Sequence, residues 1–185
     1  MRRVRREELL DLKAYDEARD AIRAQALEAK RLRRVHVGDV LTFLFENVET
    51  IRYQIQEMLR VERLYREEEI LHELETYNEL LGGPGELGCA LLVEIPDPAE
   101  RDRMLRMLVA LPEHLYARMP DGRKVRPTYD RRQVGTDRLS AVQYLKFDVE
   151  GVAPVAIGCD LPVLEVEAAV PTEQRSALEV DLAQE

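Results

Sequence analysis

Residues Phe43–Arg63 read FLFENVETIRYQIQEMLRVER, and two periodicities meet inside them. Leu41, Phe43 and Phe45 alternate with Thr42, Leu44 and Glu46, the period-two pattern of a strand with one strongly apolar face. After Asn47 the period changes. Val48, Ile51, Ile55, Met58 and Leu59 recur at helical spacing, so strand passes into helix across Glu46–Thr50, with Asn47 or Thr50 able to cap the exposed N–H groups. Such a corner gathers backbone N–H groups and acidic side chains in one place.

Projected at about 100° per residue, the helix puts Glu62 among Val48, Ile51, Ile55 and Met58 on the apolar side. An uncompensated buried carboxylate costs several kcal/mol, so Glu62 either meets a cationic or hydrogen-bonded partner or the helix ends before it. The second reading, with Glu62 pointing to water, is the one adopted. Arg52, Gln56 and Arg63 form a polar strip beside the apolar face, and Tyr53, Glu57 and Arg60 lie across the helix from it.

The chain of 185 residues suffices for one domain with a sizeable core, with lobes over 1–81 and 87–185 as a finer division. Its 45% hydrophobic content is ordinary, and its 34% charged content is high and calls for a well-solvated surface. The net charge of −9 argues against general affinity for DNA or RNA, which draws on Lys and Arg to neutralise phosphates. The charge is uneven: residues 1–34 hold 11 basic and 7 acidic side chains, residues 150–185 hold 1 and 8. Two readings stand, complementary surfaces used in a homo-oligomer or toward a partner, and solvated faces that never meet; the latter is adopted.

Cys89 and Cys159 stand apart in apolar runs, without a CxxC, and are read as small buried hydrophobes rather than ligands or a disulfide. The basic run Arg2–Arg6 has no apolar segment after it, so no signal peptide is expected. With no run of about 18 apolar residues, no membrane span is expected either, and the expected location is the cytoplasm.

In chain order, Leu12, Tyr15, Ala18, Ile22, Ala26 and Ala29 mark one face of a helix over Asp11–Arg34, whose final turn holds Arg31, Arg33 and Arg34 against the helix dipole. Val35–Val37 and Val40–Phe45 flank Gly38-Asp39, a hairpin signal, with His36 a surface residue. A third helix over Glu67–Leu81 shows Ile70, Leu74, Tyr77 and Leu81 as its apolar stripe. Glu69-Ile70-Leu71-His72 matches the Glu-x-x-His half-motif of di-iron bundles, which need two such motifs and two more glutamates. Only one is present here, and His72 lies opposite the stripe, so no metal is expected.

Gly82–Gly85 forms the seam before a strand-rich second half and lacks the Gly-Lys-Ser/Thr of a phosphate loop. Cys89–Ile95 alternates as a buried strand, and Asp97-Pro98-Ala99-Glu100 reads as cap, first-turn proline and acidic third residue of a helix stopping near Pro112. Leu115–Met119 returns through Asp121-Gly122 to Val125. The stretch Arg118–Arg138 holds 7 basic and 3 acidic residues, with a mobile loop at 130–138 that either touches an anionic ligand or the acidic C-terminal segment or is simply solvated; the latter is adopted. Ala141–Val149, Val152–Ile157 and Leu164–Val170 read as strands joined by tight turns, and Pro171-Thr172 opens a last helix. The sum is an α+β fold, a mostly antiparallel sheet with about five helices, helix-rich first and strand-rich second.

Leu44–Asn47 with Arg52, Gln54–Met58 and Arg60–Arg63, then Glu73-Leu74, Tyr77-Asn78, Leu92–Pro96 and Ser140–Val142, resembles the bacterial domain-of-unknown-function family 3501 over nearly the full length. That family has no assigned activity, so the resemblance carries no catalytic role. It implies an accessory role in a redox setting, beside rubrerythrin-like and iron–sulfur oxidoreductase proteins. The preferred reading is a non-catalytic accessory protein, a dimer that meets a redox partner through Arg52–Arg63 and the charged termini. The alternative is a small enzyme or metal- or ligand-binding protein. Glu46, Arg52, Gln56, Glu57, Arg60, Glu62, Arg63, Tyr77 and Asn78 are the binding candidates for partner or ligand, and the cofactor is undetermined.

Overall fold

In the computed structural model, which describes residues 2–184, helix α1 (Leu12–Arg31) opens on Asp11, whose carboxylate accepts the Ala14 amide at 2.9 Å. The hairpin β1 (Arg34–Val37) and β2 (Leu41–Phe45) follows, with Gly38 at a positive φ of 61° in a three-residue turn rather than a two-residue one. Then β2 runs into α2 (Val48–Glu62), as the change of period requires. Asn47 Oδ1 accepts the Thr50 amide and Thr50 Oγ1 accepts the Asn47 amide, each at 3.0 Å, so the two candidate caps work as a reciprocal pair. Arg63 closes the helix in the left-handed region at φ 55°, and Glu62, its last residue, is exposed to water.

The remaining elements are α3 (Glu67–Asn78), β3 (Glu86–Val93), α4 (Pro98–Met107), the single-turn α5 (Leu111–His114), β4 (Leu115–Arg118), β5 (Lys124–Val125), β6 (Val142–Asp148), β7 (Ala156–Leu161), β8 (Leu164–Ala169) and α6 (Thr172–Leu182). The fold is α+β, with six helices and eight strands among the described residues. All pairings are antiparallel, but the strands divide into two four-stranded sheets, β1-β2-β3-β6 and β5-β4-β7-β8.

One apolar core serves both sheets: Phe43, Phe45, Leu91 and Phe147 from the first meet Leu115, Ile157 and Cys159 from the second, closed by Leu105 of α4 and Leu178 of α6. A second cluster joins Val4 and Leu9 to Ile51, Ile55 and Leu59 of α2 and Ile70 of α3. Burying each of these side chains contributes on the order of 2 kcal/mol. Helix α2 lies between α1 and α3, so both of its flanks are covered. Gly88 in β3 has a packing reason: a Cβ there would sit 2.0 Å from the Leu80 carbonyl oxygen, where the chain leaving α3 crosses the strand.

Two expectations change in detail. The helix after Pro98 breaks at Leu108–Ala110 before α5 takes up Pro112. Residues 152–154 link β6 to β7, and Val155 donates to the Arg118 carbonyl at 2.8 Å and accepts the Val170 amide at 2.9 Å just before β7 begins at Ala156, so the expected strand over Val152–Ile157 starts late. The loop over 130–138 holds a 3-10 turn at Arg131–Gln133, capped by Asp130 at 2.9 Å, and Arg138 donates to Asp102 at 2.8 Å.

Candidate functional site

The strand-to-helix corner carries a chain of buried polar groups. Arg33 (8% exposed) donates from Nε and Nη2 to the two oxygens of Asp181 (1% exposed) at 2.6 and 2.8 Å, and from Nη1 to the Ala29 carbonyl at 3.0 Å. Asn47 Nδ2 donates to Asp181 Oδ1 at 3.2 Å, and Thr50 Oγ1 donates to Glu46 Oε2 at 2.5 Å. The network thereby ties the end of α1, the start of α2 and the far end of α6 together. Burial pushes the Glu46 carboxyl above its ordinary value, opposed by the Thr50 hydroxyl and by Lys30 and Arg33 nearby. The sequence points to Glu46, Asn47 and Thr50. Arg33 is read there as a dipole partner, and Asp181 is missed; its one signal is an acid three residues after the buried Leu178.

The other corner residues turn to separate partners. Gln56 is buried and holds both backbone groups of Leu10: its Oε1 accepts the amide at 2.6 Å and its Nε2 donates to the carbonyl at 3.3 Å. Asn78 does the same for Val4, at 2.9 Å in both directions. Two side-chain amides thus stand in for a neighbouring strand and fasten the N-terminal segment to α2 and α3. Glu57 faces α1 rather than solvent, accepting both guanidinium bonds of Arg19 at 2.8 Å and the Tyr15 hydroxyl at 2.7 Å. The Arg19 bonds hold its carboxyl at about 2, with burial opposing and Tyr15 adding. Arg60 reaches Asp16 of α1 at 2.8 Å.

Arg52 lines a cavity of about 190 Å³ together with Leu10, Tyr77 packs half-buried in the second apolar cluster, and Glu62 and Arg63 are exposed at the end of α2. Glu46, Glu57 and Glu62 are not assembled into one site, because α1 covers one side of α2 and the corner network takes the other. Glu69 Oε2 accepts the Arg66 amide at 3.2 Å as a helix cap, and exposed His72 lies with it along an open depression that Glu62 also lines. Among the described residues no three His, Cys, Asp or Glu side chains are grouped to hold a metal ion. Both cysteines are buried and unbridged, and burial raises each thiol.

The uneven charge meets itself inside the chain, a third outcome beside the two readings of the sequence. Arg31 bridges Glu28 and Glu173 as Arg33 bridges to Asp181, joining the basic first segment to the acidic last one. The arm before the 130–138 loop, rather than the loop itself, touches the acidic segment: Arg118 forks onto Glu167, Arg123 onto Glu150 and Arg126 onto Asp160. Between these pairs the Tyr116 ring lies across Gly158, where a Cβ would come within 2.5 Å of it, and its hydroxyl donates to Glu167 at 3.0 Å.

A cleft of about 670 Å³ lies elsewhere, between the end of α3, the 128–133 loop and β6, with Glu79, Tyr129, Asp130, Tyr144 and Lys146 on its walls. Its floor is an edge closed by the chain itself. Thr128 and Lys146 exchange both backbone hydrogen bonds at 2.8 and 2.9 Å, and the Gln133 amide holds both backbone groups of Tyr144 at 2.8 Å. The sequence names none of these residues as site candidates, since the cleft is made by segments far apart in the chain. No helix among the described residues is long and apolar enough to cross a membrane.

A family model for proteins of unknown function, DUF3501, matches residues 3–182. A crystal structure described as a novel protein of unknown function from Burkholderia pseudomallei K96243 superposes with a TM-score of 0.89 at 30% identity, covering 98% of this chain and 100% of that one. No curated protein matches the chain. The full-length agreement in sequence and in fold establishes that the chain belongs to the DUF3501 family.

Proposed function

We propose that the chain is a non-catalytic accessory protein that works by binding, with the α3–β6 cleft as its working surface. One contrast carries this reading. Glu46, Gln56, Glu57, Arg60 and Asn78 spend their hydrogen bonds on the chain's own backbone and side chains, whereas the cleft presents Tyr129, Tyr144 and Lys146 at an open surface, with Tyr144 46% exposed. Tyrosine is enriched where protein surfaces bind one another, because its ring covers apolar area while its hydroxyl accepts or donates at the rim. The partner we assign is a redox protein of rubrerythrin-like or iron–sulfur type, an assignment supported by the family resemblance alone. Self-association into a homodimer accompanies it.

Native mass spectrometry of the untagged protein reports subunit count and any retained mass together. Titration with a purified rubrerythrin-like protein then tests the surface. Tyr144→Ala and Lys146→Glu should each weaken that association by about tenfold, the scale of a moderate interface contact, while Arg60→Ala should leave it unchanged. Substrate turnover by the chain alone, or equal binding by all three variants, would overturn the reading.

A further inference from the structure

On the opposite side of the fold, the last turn of α1, the strand β1 and the start of α6 enclose a second cleft of about 270 Å³. It is lined by Leu27, Lys30, Arg31, Arg34, His36 and Gln174. Three of the six are cations, on a chain whose net charge is −9. Arg31 is committed to Glu28 and Glu173. Lys30 has its ammonium over the Tyr53 ring at 5.4 Å, and its charge acts on the buried Glu46. Arg34 is exposed and forms no ion pair among the described residues. Locally converging cations focus potential in a cleft even where the whole molecule is negative.

His36 is exposed, as the sequence reading has it, and its ring is held in place. His36 and Thr42 sit opposite each other in the β1–β2 hairpin, and the imidazole Nδ1 lies 2.9 Å from Thr42 Oγ1. The same hydroxyl donates its one proton to a carboxylate oxygen of Glu94. It therefore has only a lone pair to offer the ring, so Nδ1 carries the hydrogen and donates. Nε2 is left as the ring nitrogen outside this relay. The Glu94–Thr42–His36 relay orients an imidazole on the wall of a cationic cleft.

We propose that this cleft binds a phosphate group, either free phosphate or a small phosphomonoester. Arg34 supplies a planar fork that matches phosphate oxygens, Lys30 a point charge and Gln174 a neutral amide. With Nδ1 turned to Thr42, Nε2 is the ring atom that adds a hydrogen bond to a phosphate oxygen or hydroxyl. A carboxylate, with two oxygens in one plane, would leave part of this donor set unused. The cleft falls just below the range of about 300–1,000 Å³ typical of sites for drug-sized ligands, which favours a small anion over a nucleotide.

The test uses the full chain and follows the His36 imidazole by ¹H–¹⁵N NMR during titration with inorganic phosphate and, separately, with glycerol phosphate, at ionic strength held constant with sodium chloride. Saturable shifts of His36 Nε2 are expected, and Arg34→Ala or Lys30→Ala should weaken binding at least about tenfold, the loss of one charge-assisted hydrogen bond. His36→Gln should weaken binding, by less than the loss of either cation. Tighter binding of glycerol phosphate assigns esters as the source, and tighter binding of phosphate assigns the free ion. Absence of a saturable shift in the unaltered protein up to about 10 mM of either anion, a free energy near −3 kcal/mol, overturns the proposal. So does unchanged affinity in Arg34→Ala. Where a variant fails to fold, the titration of the unaltered protein decides.

Discussion

Removing the Asp181 carboxylate while leaving Arg33 in place should be among the most damaging single changes in this chain. The pair is bidentate at 2.6 and 2.8 Å, and Arg33 is 8% and Asp181 1% exposed. In Asp181→Ala the guanidinium keeps only its bond to the Ala29 carbonyl, and Asn47 loses an acceptor as well. Breaking a buried pair from one side costs about 3–5 kcal/mol, because the remaining charge stays desolvated. For a domain of this size each kcal/mol moves Tm by about 2–4 °C, so a fall of about 6–20 °C is expected. Arg33→Met with Asp181→Leu removes both charges and should land within about 1 kcal/mol of the parent, well short of the summed single losses. Urea unfolding followed by circular dichroism measures the parent, Arg33→Met, Asp181→Leu and the double variant as one cycle, with Asp181→Ala beside them. The salt dependence should be small, since neither charge faces solvent. A loss under about 1 kcal/mol in Asp181→Ala, or additive single losses, would refute the reasoning that the pair is one buried unit.

Three further outcomes follow from other groups. Glu57 titrates at about 2 in the folded chain against an ordinary 4.5, so its contribution is fully present above pH 4.5 and is lost as pH falls toward 2. Glu57→Gln should therefore cost about 2 kcal/mol near pH 7 and progressively less below pH 4.5, read from urea midpoints across pH. Glu46 behaves oppositely: its folded value is raised, so its contribution is present below the unfolded value and lost as pH rises through the folded one. Glu46→Gln should be at least as stable as the parent at pH 7.5, and a clear loss of Tm there would count against a raised carboxyl. Gln133→Ala uncovers the Tyr144 backbone groups on the edge of β6, so association that grows with protein concentration is expected in light scattering, with a stability loss of about 1 kcal/mol. A strictly unchanged mass at every concentration would show that other residues guard that edge.

The local physics of this chain was legible without coordinates. Alternation in Leu41–Phe45, helical spacing in Val48–Leu59 and the caps at Asn47 and Asp97 depend on neighbours within four residues, and each appears where the pattern requires. The division into two sheets was not legible, since period two states that a strand has two faces and not which strand lies beside it. Side-chain roles failed for the same reason. Glu57 and Arg60 look solvent-facing on a helix taken alone, and α1 covers them only after the chain folds back. Gln56 reads as part of a polar strip until Leu10 arrives to be held by it. The Arg33–Asp181 pair spans 148 residues of sequence, and the cleft walls come from α3, a loop and β6. Periodicity and capping are short-range and therefore written in the order of the residues. The partner of a buried charge, and the empty space left between elements, are long-range and were decided only by tertiary packing.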